Sequence, residues 1–282
     1  MGFTTLELTV NHHIAHLRFI RAQSYNSLNR SFWNEFPQAL DIVRASDDVR
    51  VLVISSSGKH FSAGMDLEIF SNPDPRLFNG EPARRAETIH RLVLDLQAMF
   101  SELESLRMPV LAAVQGGCIG GALDLICACD CRYCTEDAYF TVKETALGIT
   151  ADLGTLQRLP SLISSGLARE LAYTARNMAA QEALSSGLVN AVFSDHEALM
   201  SAVMDIAEQI ASHSPLAVHG SKVMLNYARD HSVSDSLAYM AAWQTGMFQP
   251  TDMLEGFKAK SEQRAPEYAA LNPIHKPFSE EK

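Results

Sequence analysis

The chain has 282 residues, 47% hydrophobic and 20% charged, which excludes a disordered polymer and leaves enough apolar material for a large core. Lysine and arginine number 23 against 33 aspartates and glutamates, so the net charge is −10. Such a chain repels nucleic acid and anionic lipid.

No run reaches the roughly 18 apolar residues of a membrane span. Met1-Gly-Phe-Thr-Thr-Leu-Glu-Leu lacks the basic and apolar regions of a signal peptide, and Phe278-Ser-Glu-Glu-Lys282 is not a Ser-Lys-Leu address. The expectation is a cytoplasmic protein without membrane or nucleic-acid partners. The five cysteines all fall between Cys118 and Cys134. An odd, local cluster suits a reducing compartment better than a disulfide framework.

Leu6 to Val10 and Ile14 to Phe19 alternate around Asn11-His12-His13 and predict a strand, a turn and a strand. Asn29-Arg30-Ser31 offers caps for a helix to about Val43, with Phe32, Phe36, Leu40 and Val43 on one face. Val51 to Ile54 is wholly apolar, the mark of a strand buried on both faces. Ser55 to Gly64 is a loop of small residues. Residues 72–82 hold three prolines, a glycine and two asparagines and predict a mobile loop. A helix with the stripe Ile89, Leu92, Val93, Leu96, Met99, Phe100 and Leu103 follows, ended by Pro109.

Val110 to Val114 is a second buried strand. It leads through Gly116-Gly-Cys-Ile-Gly-Gly121 into an apolar helix to about Cys129, and residues 131–143 read as further strands. Alternation of strands and helices predicts an α/β fold with parallel strands. Beyond Asp195 the pattern is helical: Leu199, Val203, Ile206, Ala207 and Ile210 make one stripe, and Ser214-Pro215 starts the next helix. The expected division is an α/β core over 1–195 and a helical region over 196–282.

Strand, glycines, helix is a layout in which backbone N–H groups face a ligand. It is neither a dinucleotide fingerprint, since Cys118 replaces the second glycine, nor a P-loop, since no Lys-Ser/Thr follows. Asp124, one turn into the helix, would repel a phosphate, and a developing enolate oxygen is a better guest. The same glycines would also serve close helix–strand packing.

Asp124 lies among Leu123, Leu125 and Ile126. Glu144 follows a strand, and Asp152 sits between small and apolar residues. Burial raises carboxylate pKa values and makes them usable acids and bases. Taken singly, Glu144 also reads as a surface residue beside Lys143, and Asp152 as the cap of a helix starting near Leu153. Cys127-Ala-Cys-Asp-Cys-Arg-Tyr-Cys134 lacks the second paired knuckle of a zinc site, so the cysteines read as small buried hydrophobes. No Gly-x-Ser-x-Gly elbow anchors a hydrolase triad. His60 reads as a solvated loop histidine.

Phe61-Ser-Ala-Gly-Met-Asp-Leu67, Gly116 to Asp130 and Gly148 to Pro160, in this order and spacing, resemble the crotonase, or enoyl-CoA hydratase/isomerase, superfamily. The resemblance runs from Asn26-Ser-Leu-Asn29 through Ser214-Pro215 and Lys222 to Glu255-Gly256 and Glu262 to Pro266. It implies an α/β ββα spiral core, a C-terminal helical trimerisation region, and homotrimers or homohexamers. Hydratases of the superfamily carry glutamate at the position of Asp124 and glycine at that of Asp152. Asp124, Glu144 and Asp152 together resemble the delta(3,5)-delta(2,4)-dienoyl-CoA isomerases. So do Asp152-Leu-Gly-Thr-Leu-Gln-Arg-Leu-Pro160 and Arg229-Asp-His-Ser-Val233.

The resemblance implies an acyl-CoA substrate of fatty-acid β-oxidation, with no metal and no separate cofactor. Backbone N–H groups of Met65 and Gly121 would form an oxyanion hole. Glu144 would take a proton at C2, Asp152 would give one at C6, and Asp124 would tune the pair. Coenzyme A would lie along Ala63, Gly64, Met65, Asp66 and Leu67, with Gly117 beside it. Where the family often has proline and basic residues before the Asn26 position, this chain has Ala22, Ser24 and Tyr25. Arg21 and Lys59 are therefore the candidate phosphate contacts, with Lys260 where the superfamily often has phenylalanine. Enoyl-CoA hydration, a simpler enoyl-CoA isomerisation and non-catalytic acyl-CoA binding are the alternatives.

Overall fold

A computed structural model describes residues 2–274. The last residues of the expected helical region, including the Phe278–Lys282 terminus, lie outside the described residues. Strands β1 (Leu6–Asn11) and β2 (Ile14–Phe19) form an antiparallel hairpin. Its turn residues His12 and His13 both have positive φ, 49° and 67°, the hand that matches strand twist in a two-residue turn. Helix α1 (Arg30–Ala45) starts where the Asn29 side chain accepts the Phe32 N–H at 3.0 Å.

The chain continues through β3 (Val51–Ser56), α2 (Leu67–Ser71), α3 (Pro82–Ser105), β4 (Val110–Val114), β5 (Gly117–Ile119) and α4 (Gly121–Cys127). Next come β6 (Cys131–Thr135), β7 (Tyr139–Thr141), α5 (Thr155–Leu162), α6 (Ser165–Thr174), β8 (Met178–Ala179), α7 (Ala180–Ser186) and β9 (Ala191–Phe193). Helices α8 (His196–Ala211), α9 (Pro215–Asp230), α10 (Val233–Met247) and α11 (Pro250–Glu262) complete it. The main sheet has six strands in the order β1-β2-β3-β4-β6-β9, parallel from β2 onward. A second sheet, β5-β7-β8, holds the glycine-rich segment.

The apolar strands β3 and β4 are buried on both faces because each face has its own cover. Val51, Val53, Leu111 and Ala113 meet Leu199, Val203, Ala207 and Ala211 of α8. Leu52, Ile54, Val110, Ala112 and Val114 turn to the larger core with Phe32, Phe36 and Leu40 of α1. Helix α8 starts beyond the expected boundary at 195, yet it packs on the sheet of the α/β core.

Two local expectations, both on α3, are corrected. Helix α3 stops at Ser105 rather than at Pro109, and the buried Lys222 ammonium, on α9, takes the Leu103 and Met108 carbonyls at 2.7 and 3.0 Å. Of the α3 stripe only Phe100 and Leu103 are fully buried, while Ile89 and Leu92 are exposed. Within the glycine run, Gly117–Ile119 forms β5 and pairs in parallel with β7. Residues 72–82 contain a turn of 3-10 helix, Pro75–Leu77, capped by Asp74.

Candidate active site

A cleft of about 440 Å³ opens where the 24–27 segment, the 63–67 loop, the start of α4 and the turn after β7 meet. Two isolated bridges bring these pieces together, Leu28 with Met65 and Ser62 with Cys118. The close approach depends on Gly64. It has φ +81°, and a Cβ there would stand 2.4 Å from the Ile119 carbonyl oxygen. Gly120 does the same work on the far side, with φ +53° and Glu144 Oε1 only 2.9 Å from where a Cβ would be. The glycines thus pack strand against helix and also clear space for a carboxylate.

Met65 and Gly121 face each other across this junction. A Cβ on Gly121 would lie 3.8 Å from the Met65 nitrogen. Neither backbone N–H has an acceptor among the described residues, although their neighbours do: Asp66 N–H goes to Leu28 and Gly120 N–H to Thr141. Two unpaired donors at one point, one of them the first residue of a helix, suit an oxygen that gains negative charge during a reaction.

Glu144 lines the cleft and is 9% exposed, which overturns its reading as a surface residue. Its Oε2 is buried without a hydrogen-bond partner among the described residues. Burial raises its pKa, backbone N–H groups oppose that, and the charge of Asp152 adds to the rise. Asp152 is likewise raised by burial. It does not cap α5: that helix begins at Thr155, and its N-cap is Gly154. Asp124 is 1% exposed, and its Oδ1 accepts the Thr155 N–H at 2.6 Å. Burial pushes Asp124 up to about 7, the hydrogen bonds from Thr155 pull it back, and Glu144 and Asp152 push it further up. Three carboxyl groups therefore share one electrostatic neighbourhood, each poised to hold or release a proton nearer neutrality than an ordinary carboxylate.

Ala63, Met65, Asp66, Leu67 and Gly121 line the cleft, and Gly64 packs behind it against Ile119 and Gly121, whereas Gly117 does not line it and sits against Tyr139 and His60. The three basic candidates do not line it. Arg21 donates to the Ser27 carbonyl at 2.6 Å and lies 3.5 Å from Asp66. Lys59 is exposed next to Gly58, and Lys260 is exposed on α11. The cleft also has an apolar wall, made by Tyr25, Phe70, Leu147 and Ile149, that no sequence motif marks. Its only sequence signal was a set of large apolar residues in segments of weak periodicity.

His60 is not a solvated loop residue. Its ring Nδ1 accepts the Gly117 N–H at 2.9 Å, and its ring lies between those of Tyr25 and Tyr139. Burial, with help from Lys59, lowers its pKa and so keeps that nitrogen an acceptor. The cysteines are free thiols, with Cys118, Cys127, Cys129 and Cys134 buried. Burial pushes Cys127 and Cys134 up to about 12, which keeps them protonated and unreactive.

The family model described as enoyl-CoA hydratase/isomerase matches residues 9–270. The chain is 43% identical to the mitochondrial delta(3,5)-delta(2,4)-dienoyl-CoA isomerase of Mus musculus over 253 residues, 89% of this chain and 77% of that protein. It is 42% identical to the peroxisomal enzyme of the same name from Arabidopsis thaliana over 274 residues, 96% of this chain and 99% of that one. Among solved structures it is similar to an enoyl-CoA hydratase from Bacillus anthracis, with a TM-score of 0.85 and 30% identity over 94% of this chain and 99% of that one.

Proposed function

The chain belongs to the enoyl-CoA hydratase/isomerase family, and from that premise we propose that it isomerises 3,5-dienoyl-CoA to 2,4-dienoyl-CoA. The observation that carries this reading is the trio Asp124, Glu144 and Asp152: Glu144 lines the cleft, all three are raised in pKa by burial, Asp152 acts by its charge on Glu144, and both act on Asp124. A water-adding enzyme of the family holds two glutamates about its water, whereas here two of the three acids are aspartates.

The reaction is a relay of protons. Glu144 removes the C2 proton beside the thioester. The electron pair moves into the thioester carbonyl, whose oxygen takes hydrogen bonds from the Met65 and Gly121 N–H groups. Each such donor is typically worth about 2.7–4 kcal/mol in the transition state. The conjugated system then takes a proton from Asp152 at C6, so each double bond moves one carbon toward the thioester and no water is added. Coenzyme A lies along residues 63–67, and the apolar wall of Phe70, Leu147 and Ile149 faces the acyl part. No metal or separate cofactor takes part in this scheme.

The Bacillus anthracis hydratase structure keeps hydration as a second reading. Diene absorbance, followed with a 3,5-dienoyl-CoA and separately with a 2-enoyl-CoA, decides between them. Growth of the conjugated 2,4-dienoyl band supports isomerisation. Loss of the 2-enoyl band alone supports hydration, and no change with either marks a non-catalytic binder.

The same proposal extends to assembly and location. Large apolar residues stay exposed on α9 to α11, among them Val233, Leu237 and Phe257. They support a homotrimer or homohexamer. The five free thiols fit a reducing interior. The cytoplasm expected from the sequence shares that property with the organelles named for the mouse and Arabidopsis proteins. No helix among the described residues is long and apolar enough to cross a membrane.

A further inference from the structure

We infer that Gln97, on α3, is a positioning residue for Asp152, an inference that rests on the proton-donor role proposed above. Asp152 sits in the 149–154 turn, which has no regular structure and ends on Gly154 at φ +127°. A turn of that kind does not fix a carboxyl group by itself. Gln97 Nε2 supplies a tie from outside, donating to the Asp152 carbonyl oxygen at 2.6 Å.

The same face of α3 holds the start of α5. Gln97, Ser101 and Glu104 are spaced i, i+4, i+7 and so share one side of the helix. Arg158 of α5 donates to Ser101 Oγ at 2.9 Å and to Glu104 Oε2 at 2.7 Å. Arg229 of α9 pairs with Glu104 as well. The Arg158 side chain folds back over Gly154, where a Cβ would stand 1.9 Å from its Nη1. Asp152 is thus held on one side through its own carbonyl and on the other through the anchored helix that follows it.

These groups line a polar cavity of about 330 Å³ that shares no lining residue with the acyl-CoA cleft. Gln97 therefore acts on the chemistry only through the turn. Displacing a reacting group by about 1 Å costs up to roughly 10²-fold in rate. A change at Gln97 reaches the C6 proton transfer and leaves C2 proton removal, the work of Glu144, untouched.

Gln97→Leu removes the donor, and Gln97→Glu turns it into an acceptor facing a carbonyl. Both keep a good helix former at a half-exposed position, so folding is not at stake. Each variant is assayed with a 3,5-dienoyl-CoA for kcat, for KM and for exchange of the C2 proton in deuterated water. The expected result is kcat lower by about 10- to 100-fold, with KM and C2 exchange within about two-fold of wild type. Arg158→Lys, which keeps the charge but not the fork, should show the same split more weakly. Wild-type kcat in both Gln97 variants overturns the inference, as does exchange that falls in parallel with kcat. Failure of the wild-type enzyme to isomerise the dienoyl substrate overturns the proposed function instead, and this inference with it.

Discussion

The carboxylate of Asp124, in α4, accepts the backbone N–H of Thr155, the first residue of α5, at 2.6 Å. The N-cap of α5 is Gly154, which has no side chain to offer, so the cap comes from a residue 31 positions earlier. The positive end of the helix favours the ionised carboxylate, and burial opposes it more strongly. Asp124 thereby joins the fold of the 149–154 turn to the charge state of the cleft.

Asp124→Asn should make stability less dependent on pH. The folded-state pKa of Asp124 is about 7 against an ordinary 3.8, so the folded protein holds this proton longer than the unfolded chain. The wild type therefore loses stability as pH rises from about 4 to 7, by an amount on the order of 4 kcal/mol. Asparagine still accepts from Thr155 and never ionises. Urea unfolding at several pH values should show the variant gaining on the wild type across that window and keeping a constant lead above it. A lead that does not vary with pH would show that Asp124 is not a raised carboxyl group.

Asp152→Asn and Glu144→Gln should separate the two halves of the relay. Each should lower dienoyl-CoA turnover by about 10²–10⁴-fold, the usual contribution of a general acid or base. Glu144→Gln should also stop C2 proton exchange with deuterated water. Asp152→Asn should retain some of it, because the first proton can leave before the second arrives. Near wild-type turnover in Asp152→Asn would reduce position 152 to part of a turn and favour a simpler enoyl-CoA isomerase or a hydratase.

His60→Ala should weaken the glycine segment. The Gly117 N–H would lose its acceptor in a buried position, at a cost of about 1–3 kcal/mol in unfolding free energy. Denaturant midpoints at neutral pH measure this directly. A loss below about 0.5 kcal/mol, the usual range for a surface substitution, would mean that the hydrogen bond contributes little.

The exposed apolar residues of α10 predict self-association. Sedimentation should show a trimer or a larger multiple at micromolar concentration. Leu237→Glu, at a position 66% exposed in the single chain, should shift the population toward monomer. A stable wild-type monomer would refute the assembly.

The sequence made some of this legible for local reasons. Asn29 caps α1 as its side-chain chemistry predicts, and the apolar runs at Val51 and Val110 form strands covered on both sides. What failed depended on distant partners. The stripe on α3 and the stripe on α8 look alike in sequence, yet one leaves Ile89 and Leu92 exposed while the other covers a sheet. Periodicity shows that a face is apolar and says nothing about what meets it. Asp152 looked like a cap because the true cap, Asp124, lies in another helix. His60 looked solvated because its partner, Gly117, stands 57 residues away.

Strands that are apolar on both faces carry a hazard. A one-residue slip of β3 would exchange Val51 and Val53 with Leu52 and Ile54, and those four side chains would still sit in oil. Hydrophobicity alone cannot reject such a threading error, as it would in a strand with one wet face. The slip would nevertheless carry the loop after β3 along by about 3.3 Å, driving Gly64 off its seat on the Ile119 carbonyl and parting Met65 from Gly121. Proofreading of the sheet thus falls to the polar end of β3, where Ser55 meets His16 and Ser56 meets Gln115, and to the narrow junction beyond it, and a misthreaded molecule would be inactive before it was visibly unfolded.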